Sequence, residues 1–162
     1  MSAFRSILLC AALLALGGCV PWPHHELTAP EIIGSIESAG APVAHARIQL
    51  SDRLDASGNP APKAKIVDVV ADAEGHFRVG PIRRFVWTSH ANRPVPWGLS
   101  FSPDAQPLRA GWLSDPASNG YVLDEPVIAI CDLHSMAVSS GIGGYQQLRG
   151  NGLCSMAVVG SK

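Results

Sequence analysis

Ile32–Leu50, IIGSIESAGAPVAHARIQL, and Lys65–Ile82, KIVDVVADAEGHFRVGPI, together decide the fold of this chain. Ile32, Gly34 and Ile36 recur with period two, so they share one face of a strand. Ala39-Gly40-Ala41-Pro42 follows as a turn, because glycine reaches φ > 0 and proline presets its own φ. Ala46, Ile48 and Leu50 then alternate with Arg47, Gln49 and Ser51, the pattern of a half-buried strand. Lys65–Ala71 predicts a third strand. Asp72-Ala73-Glu74-Gly75 predicts a tight turn, and His76–Val79 a fourth strand with Phe77 and Val79 inward. The two carboxylates of that turn are too few for calcium, which takes about six to eight oxygens. Between the two stretches, Asp52–Pro62 is polar and ends in DASGNPAP, which marks it as the most mobile excursion of the domain.

Outward from this region, composition limits the possibilities. A chain of 162 residues accommodates one domain, and a hydrophobic share of 47% supplies a core. Sixteen glycines and 13 prolines weigh against a helical protein. A net charge of −1, with 15% charged residues, excludes the concentrated basic face that a nucleic-acid partner requires. Arg83-Arg84 is the one adjacent basic pair and reads as a solvated strand edge rather than a phosphate site.

Beyond Ile82 the strand pattern continues. Arg84–Thr88 and Trp97–Ser102 read as strands around the Pro-rich loop Ala91–Pro96, and Leu108–Leu113 as another. Trp87, Trp97 and Trp112 fall within these patterns and are assigned to the core. Asp115–Gly120, DPASNG, is a turn. Tyr121–Leu123 and Val127–Cys131 follow as strands split by Pro126, which points to an edge or a bulge. Ser139–Gly152 is glycine-rich and flexible in this reading, with Tyr145 on it, and Leu153–Val159 closes the domain. Roughly seven to nine strands and no helix define an all-β protein of the sandwich type.

The order Gly34-x-Ile36, Gly40-x-Pro42-Val43, Ala46-x-Ile48-x-Leu50, then Ala71-Asp72-x-x-Gly75-x-Phe77 resembles the carboxypeptidase regulatory-like family. The resemblance implies a transthyretin-like (prealbumin-like) β-sandwich. It ends near Ile82, and Asp52–Pro62 is an insertion where family members have a short connection. Each matched position serves a turn or a sheet face, so the pattern marks a scaffold and not a chemistry.

Residues 1–18 read as an export signal. Arg5 supplies the positive charge, and Ile7–Leu16 is an apolar run shorter than the about 20 residues that span a bilayer. Leu16-Gly17-Gly18-Cys19 resembles the lipobox of bacterial lipoproteins. The resemblance implies cleavage before Cys19, a thioether-linked diacylglycerol on its sulfur and acylation, palmitate for example, of its new amino group. Two or more acyl chains, at about 0.8 kcal/mol per buried CH₂, hold a protein at a membrane. Val20 in place of an aspartate after the cysteine favours the outer membrane by the same resemblance. Residues 19–30 then form the lipidated cysteine and a Pro-rich tether, and residues 31–162 the sandwich. Within the tether, His24 and His25 point apart on an extended chain and do not chelate as a pair. Trp22 lies close enough to the anchor for an interfacial contact.

The cysteines agree with an exported protein. Cys10 leaves with the signal and Cys19 takes the lipid, which leaves Cys131 and Cys154 in an oxidising compartment, where an even pair favours a disulfide. His134 lies near them in sequence, but two thiols and one imidazole do not complete a zinc site.

No Gly-x-Ser-x-Gly elbow and no His-Glu-x-x-His motif occur. Two enzyme families share the transthyretin-like fold. Hydroxyisourate hydrolases end in Tyr-Arg-Gly-Ser, whereas this chain ends Val158-Val159-Gly160-Ser161-Lys162. Intradiol ring-cleaving dioxygenases hold iron with two tyrosines and two histidines; Tyr121 and Tyr145 are the only tyrosines here, with no His-x-His pair. The chain is therefore expected to be no enzyme and to use no cofactor. Three functions remain: an envelope lipoprotein serving as a structural or protein-interaction module, a component of a secretion or envelope machine docking a partner through its loops, and a small-ligand or carbohydrate binder. The last needs exposed aromatics in a concavity. The expected partners are the lipid bilayer, through acylated Cys19, and an envelope protein, with no nucleic acid.

Overall fold

The computed structural model describes residues 23–87, 95–103, 107–116 and 122–160. Among them are thirteen strands and no α-helix, in three sheets. The largest sheet is antiparallel and runs β11 (Val138–Ile142), β12 (Tyr145–Gly152), β9 (Arg109–Ser114), β8 (Gly98–Ser102), β4 (Arg47–Ser51), β5 (Ile66–Val70). The second runs β13 (Cys154–Val158), β10 (Val127–Asp132), β2 (Ile32–Ser38). Beyond β2, its first half pairs with β6 (His76–Val79) and its end with β3 (Ala41–Pro42). β2 and β10 are parallel, with Val127 beside Ile32. The third sheet is a two-stranded ribbon of β1 (His24–Ala29) and β7 (Ile82–Val86).

The inward phases of the opening stretch are those of the alternation. Ile32 and Ile36, Ala46, Ile48 and Leu50, and Phe77 and Val79 are all buried in one core with Leu99, Phe101, Trp112, Val127 and Ala129. Residues of both large sheets meet in that core, which makes the arrangement sandwich-like. β4 is buried more fully than a half-exposed strand, with Gln49 and Ser51 also covered. The turn Ala39-Gly40 has φ of 52° and 80°, the two left-handed residues of a type I′ hairpin between β2 and β3. At Asp72–Gly75 the Asp72 carboxylate accepts the backbone N–H groups of Glu74 and His76, at 3.1 and 2.7 Å. That carboxylate serves the turn.

Gly34 shows why the strand pattern includes a residue without a side chain. A Cβ there would lie 2.5 Å from the Ala129 carbonyl oxygen and 2.6 Å from the Phe77 ring. Gly34→Ala is expected to destabilise by about 1–3 kcal/mol, the usual cost of overpacking against a backbone that cannot yield. The urea midpoint of the variant, at unchanged m, measures it.

In the second half of the chain Cys131 and Cys154 are joined, as expected, directly opposite each other on β10 and β13, and both are buried. Other parts of this half depart from the sequence expectation. The glycine-rich segment forms the β11–β12 hairpin rather than a flexible loop. Its glycines permit close approach, because a Cβ on Gly150 would meet the Trp112 indole, 2.6 Å from its Nε1. Pro126 precedes β10, which lies in the middle of its sheet between β13 and β2 and not at an edge. Val122 and Leu123 are not in a strand, and Tyr121 lies outside the described residues. The count of thirteen strands exceeds seven to nine because β1, the two-residue β3 and the two strands of the β11–β12 hairpin add elements.

The expected tether is also shorter. His24–Ala29 forms β1, Ala29 is fully buried, and the strand pairs with β7 with one register shift between Leu27 and Ala29. Proline content made this stretch look like a linker; the backbone hydrogen bonds offered by β7 recruit it into the fold. The signal segment and Cys19 lie outside the described residues.

Candidate functional site

The group around Asp52 pairs a buried carboxylate with a guanidinium. Asp52 is fully buried at the end of β4. Arg84, on the inward face of β7, grips it with both nitrogens of its fork: Nε donates to one carboxylate oxygen and Nη2 to the other at 2.9 Å. Lys65 N–H donates at 2.7 Å and the Thr28 hydroxyl at 3.1 Å. The same Arg84 nitrogen reaches the Lys63 carbonyl at 2.7 Å. Burial pushes the Asp52 carboxyl up, but the Arg84 and Lys65 hydrogen bonds, the Arg84 charge and the Thr28 hydroxyl outweigh it and hold the pKa below the usual range. Arg84 is therefore no solvated edge residue. One carboxylate ties together β1, β7 and both ends of the Asp52–Pro62 excursion.

That excursion is itself held. Leu54 bridges Pro60, and Asp55 accepts the backbone N–H groups of Ser57 and Asn59 at 2.8 and 3.0 Å. Leu54 N–H also donates to the Pro96 carbonyl at 2.9 Å. The polar composition signalled a mobile loop, whereas its side chains cap its own backbone.

An open cavity of about 600 Å³ lies at the other end, lined by Ser38, Pro42, Val43, Pro103, Arg109 and His134 among others. Ser38 Oγ and His134 Nδ1 share a hydrogen bond of 3.1 Å, and Arg109 donates to the Leu133 carbonyl at 3.3 Å. The pairing of a hydroxyl with an imidazole is the first requirement of an activated serine. Asp132 bonds its own turn instead of the ring: it accepts the His134 backbone N–H at 2.9 Å and the Ser135 hydroxyl at 3.2 Å. Those bonds, the His134 N–H first, keep its carboxyl below the usual range. His134 thus belongs to this cavity and not to a metal site with the cysteines, whose sulfurs are bonded to each other.

Two exposed apolar surfaces were not legible in the sequence. On the outer face of the second sheet, Ile128 stands beside Ile33, with Ile130 one step along β10; they are 38%, 38% and 51% exposed. On the β1–β7 ribbon, Phe85 and Trp87 are 54% and 66% exposed. Trp97 and Trp112 are buried as expected, but Trp87 is not a core residue. The alternation Arg83-Arg84-Phe85-Val86-Trp87 carried the signal. It requires Arg84 to share a face with Val86, and only the buried partner Asp52 makes that the inner one.

The fold and these sites define an all-β, sandwich-like domain with an internal disulfide. The sequence matches no protein-family model and no curated protein. Among solved structures, the chain is similar to catechol 1,2-dioxygenase from Pseudomonas arvilla C-1, with 14% identity and a TM-score of 0.35. The match covers 88% of this chain and 52% of that one, so the chain spans about half the length of its neighbour. The neighbour is an enzyme, and the expectation that this chain is not one is withdrawn on that finding. A likeness at this TM-score assigns the chain no reaction.

Proposed function

We propose that the chain is an outer-membrane lipoprotein, anchored through Cys19, whose transthyretin-like β-sandwich holds a partner protein of the cell envelope. The observation that carries the partner is the isoleucine strip on the outer face of the second sheet. Ile33, Ile128 and Ile130 sit on adjacent parallel strands and form one apolar surface rather than scattered exposures. The export signal, the lipobox-like Leu16–Cys19 and the oxidised Cys131–Cys154 pair support the envelope address. The Gly34–Phe77 pattern and the two facing sheets support the transthyretin-like architecture. Trp97 and Trp112 are buried, and the exposed Phe85 and Trp87 do not line the cavity, which weighs against a sugar-binding reading that needs aromatics in a concavity.

Two measurements test this. Cys19→Ser is expected to accumulate as unlipidated precursor and to lose detergent-phase partitioning; unchanged partitioning would refute the anchor. A photo-crosslinking residue at Ile128 in the full-length protein is expected to form one saturable adduct with a single envelope protein, abolished by Ile130→Asp. If the adducts are absent or unselective, the strip is not a partner surface.

A further inference from the structure

We propose that the outer face of the β1–β7 ribbon is a membrane-contact surface, which lays its aromatic side chains into the headgroup zone of the bilayer that holds Cys19. The inference rests on the lipid anchor proposed above and adds to it a second, protein-borne contact. Arg83, Phe85 and Trp87 follow period two along β7 and its exit, opposite to the inward Arg84. The strand register places His25 across from Phe85 and Leu27 across from Arg83. The rings stand in file: His25 meets Phe85 edge-on at 5.5 Å, and Phe85 meets Trp87 edge-on at 5.8 Å.

A single exposed aromatic is ordinary on a protein surface. Three in contact along one ribbon face, with an arginine at one end, are an amphipathic strip. Indole and phenyl side chains favour the interfacial level of a bilayer, where an apolar body and a polar edge are both satisfied. Arg83 suits the anionic headgroups beside them. The strip is part of a paired ribbon, whose backbone hydrogen bonds hold it in place, so it can meet a surface without reorganising.

Chain length selects the bilayer as the occupant. His25 is the sixth residue after Cys19. A fully extended chain spans at most about 3.6 Å per residue, so the lipidated sulfur and His25 are within roughly 20 Å of each other. His24 is already paired with Val86, which leaves no slack inside β1. With the acyl chains seated, the membrane is the surface this strip meets first, and a folded partner has little room between them. The contact would set the tilt of the sandwich and turn the isoleucine strip to a fixed direction.

The test uses the full-length lipidated protein in vesicles of phosphatidylethanolamine and phosphatidylglycerol whose acyl chains are brominated near the glycerol. Trp22→Phe removes the indole beside the anchor, leaving Trp87 with the buried Trp97 and Trp112. The bromolipid is expected to quench part of the emission, and Trp87→Ser to abolish that part with detergent-phase partitioning unchanged. Lipid-bound protein whose Trp87 stays unquenched overturns the proposal and leaves the anchor standing. Trp87 shielded from aqueous acrylamide but not quenched by bromolipid means the strip covers a second copy, which also overturns it. If Cys19→Ser partitions like the parent, the anchor reading fails and the membrane contact falls with it.

Discussion

Arg84→Met is expected to lower stability by about 3 kcal/mol at neutral pH, because it leaves the Asp52 carboxylate buried without its cation. The value lies at the low end of the range for breaking a buried pair, since Lys65 N–H and the Thr28 hydroxyl still donate to the carboxylate. The acid dependence identifies the cause. In the parent, Asp52 has a depressed pKa, so its contribution is fully present above the unfolded value near about 4 and is lost as pH falls through the folded pKa. Without Arg84, burial dominates and the carboxyl pKa rises, so protonation favours the folded state of the variant. The stability gap between parent and variant should therefore begin to close above about pH 4, as pH falls through the variant's raised carboxyl pKa, and go on closing down to the parent's depressed one. Urea unfolding of both proteins from pH 7 to pH 3 measures it. A gap that is constant with pH would mean that Arg84 acts through packing alone. Asp52→Asn combined with Arg84→Met is expected to recover part of the loss, because a neutral amide can still accept from Lys65 N–H.

Replacing Cys131 and Cys154 together by alanine is expected to remove about 3 kcal/mol, from the entropy regained by the opened loop in the unfolded chain. The bond closes a sequence separation of 23 residues that contains the turn after β10 and the whole β11–β12 hairpin. For a domain of this size the loss corresponds to a fall in Tm of roughly 10 °C. Packing adds to it, because Cys154 Sγ lies in the narrow gap over Gly111, 3.0 Å from where a Cβ on that glycine would stand. The two sulfurs are bonded to each other, so alkylation of the denatured, non-reduced protein should label neither, and because both are buried reductant should act on the folded protein only where the fold opens. Labelling of either residue without reductant would contradict the pairing.

Legibility in the sequence followed local chemistry. Turn residues and apolar alternation between Ile32 and Ile82 predicted β2, β4, β5 and β6, and in β2, β4 and β6, which carry one clear apolar row, also the face that is buried. The disulfide followed from the cysteine count together with the expectation of an oxidising compartment. Where both rows of a strand are plausible core, the alternation loses its power. In Arg83–Trp87 the aromatics outrank arginine on any hydrophobicity scale, yet they face out, because a buried carboxylate from another strand claims the arginine. His24–Ala29 and Gly150–Gly152 failed for a related reason. Proline and glycine signal loops on average, whereas here an available strand edge and a tight approach to Trp112 put them into sheets.

The sequence by itself determined the all-β class and the inward rows of the first strands, since each depends on residues within a few positions of one another; export and lipid anchoring are expectations that rest on the sequence alone. Tertiary structure decided the rest: the partner of Asp52, the exposure of Phe85 and Trp87, the isoleucine strip, and the pairing of Ser38 with His134 across 96 positions. Period two states which side chains share a face. Which face is covered depends on what packs over it, and that is a property of strands far apart in the chain.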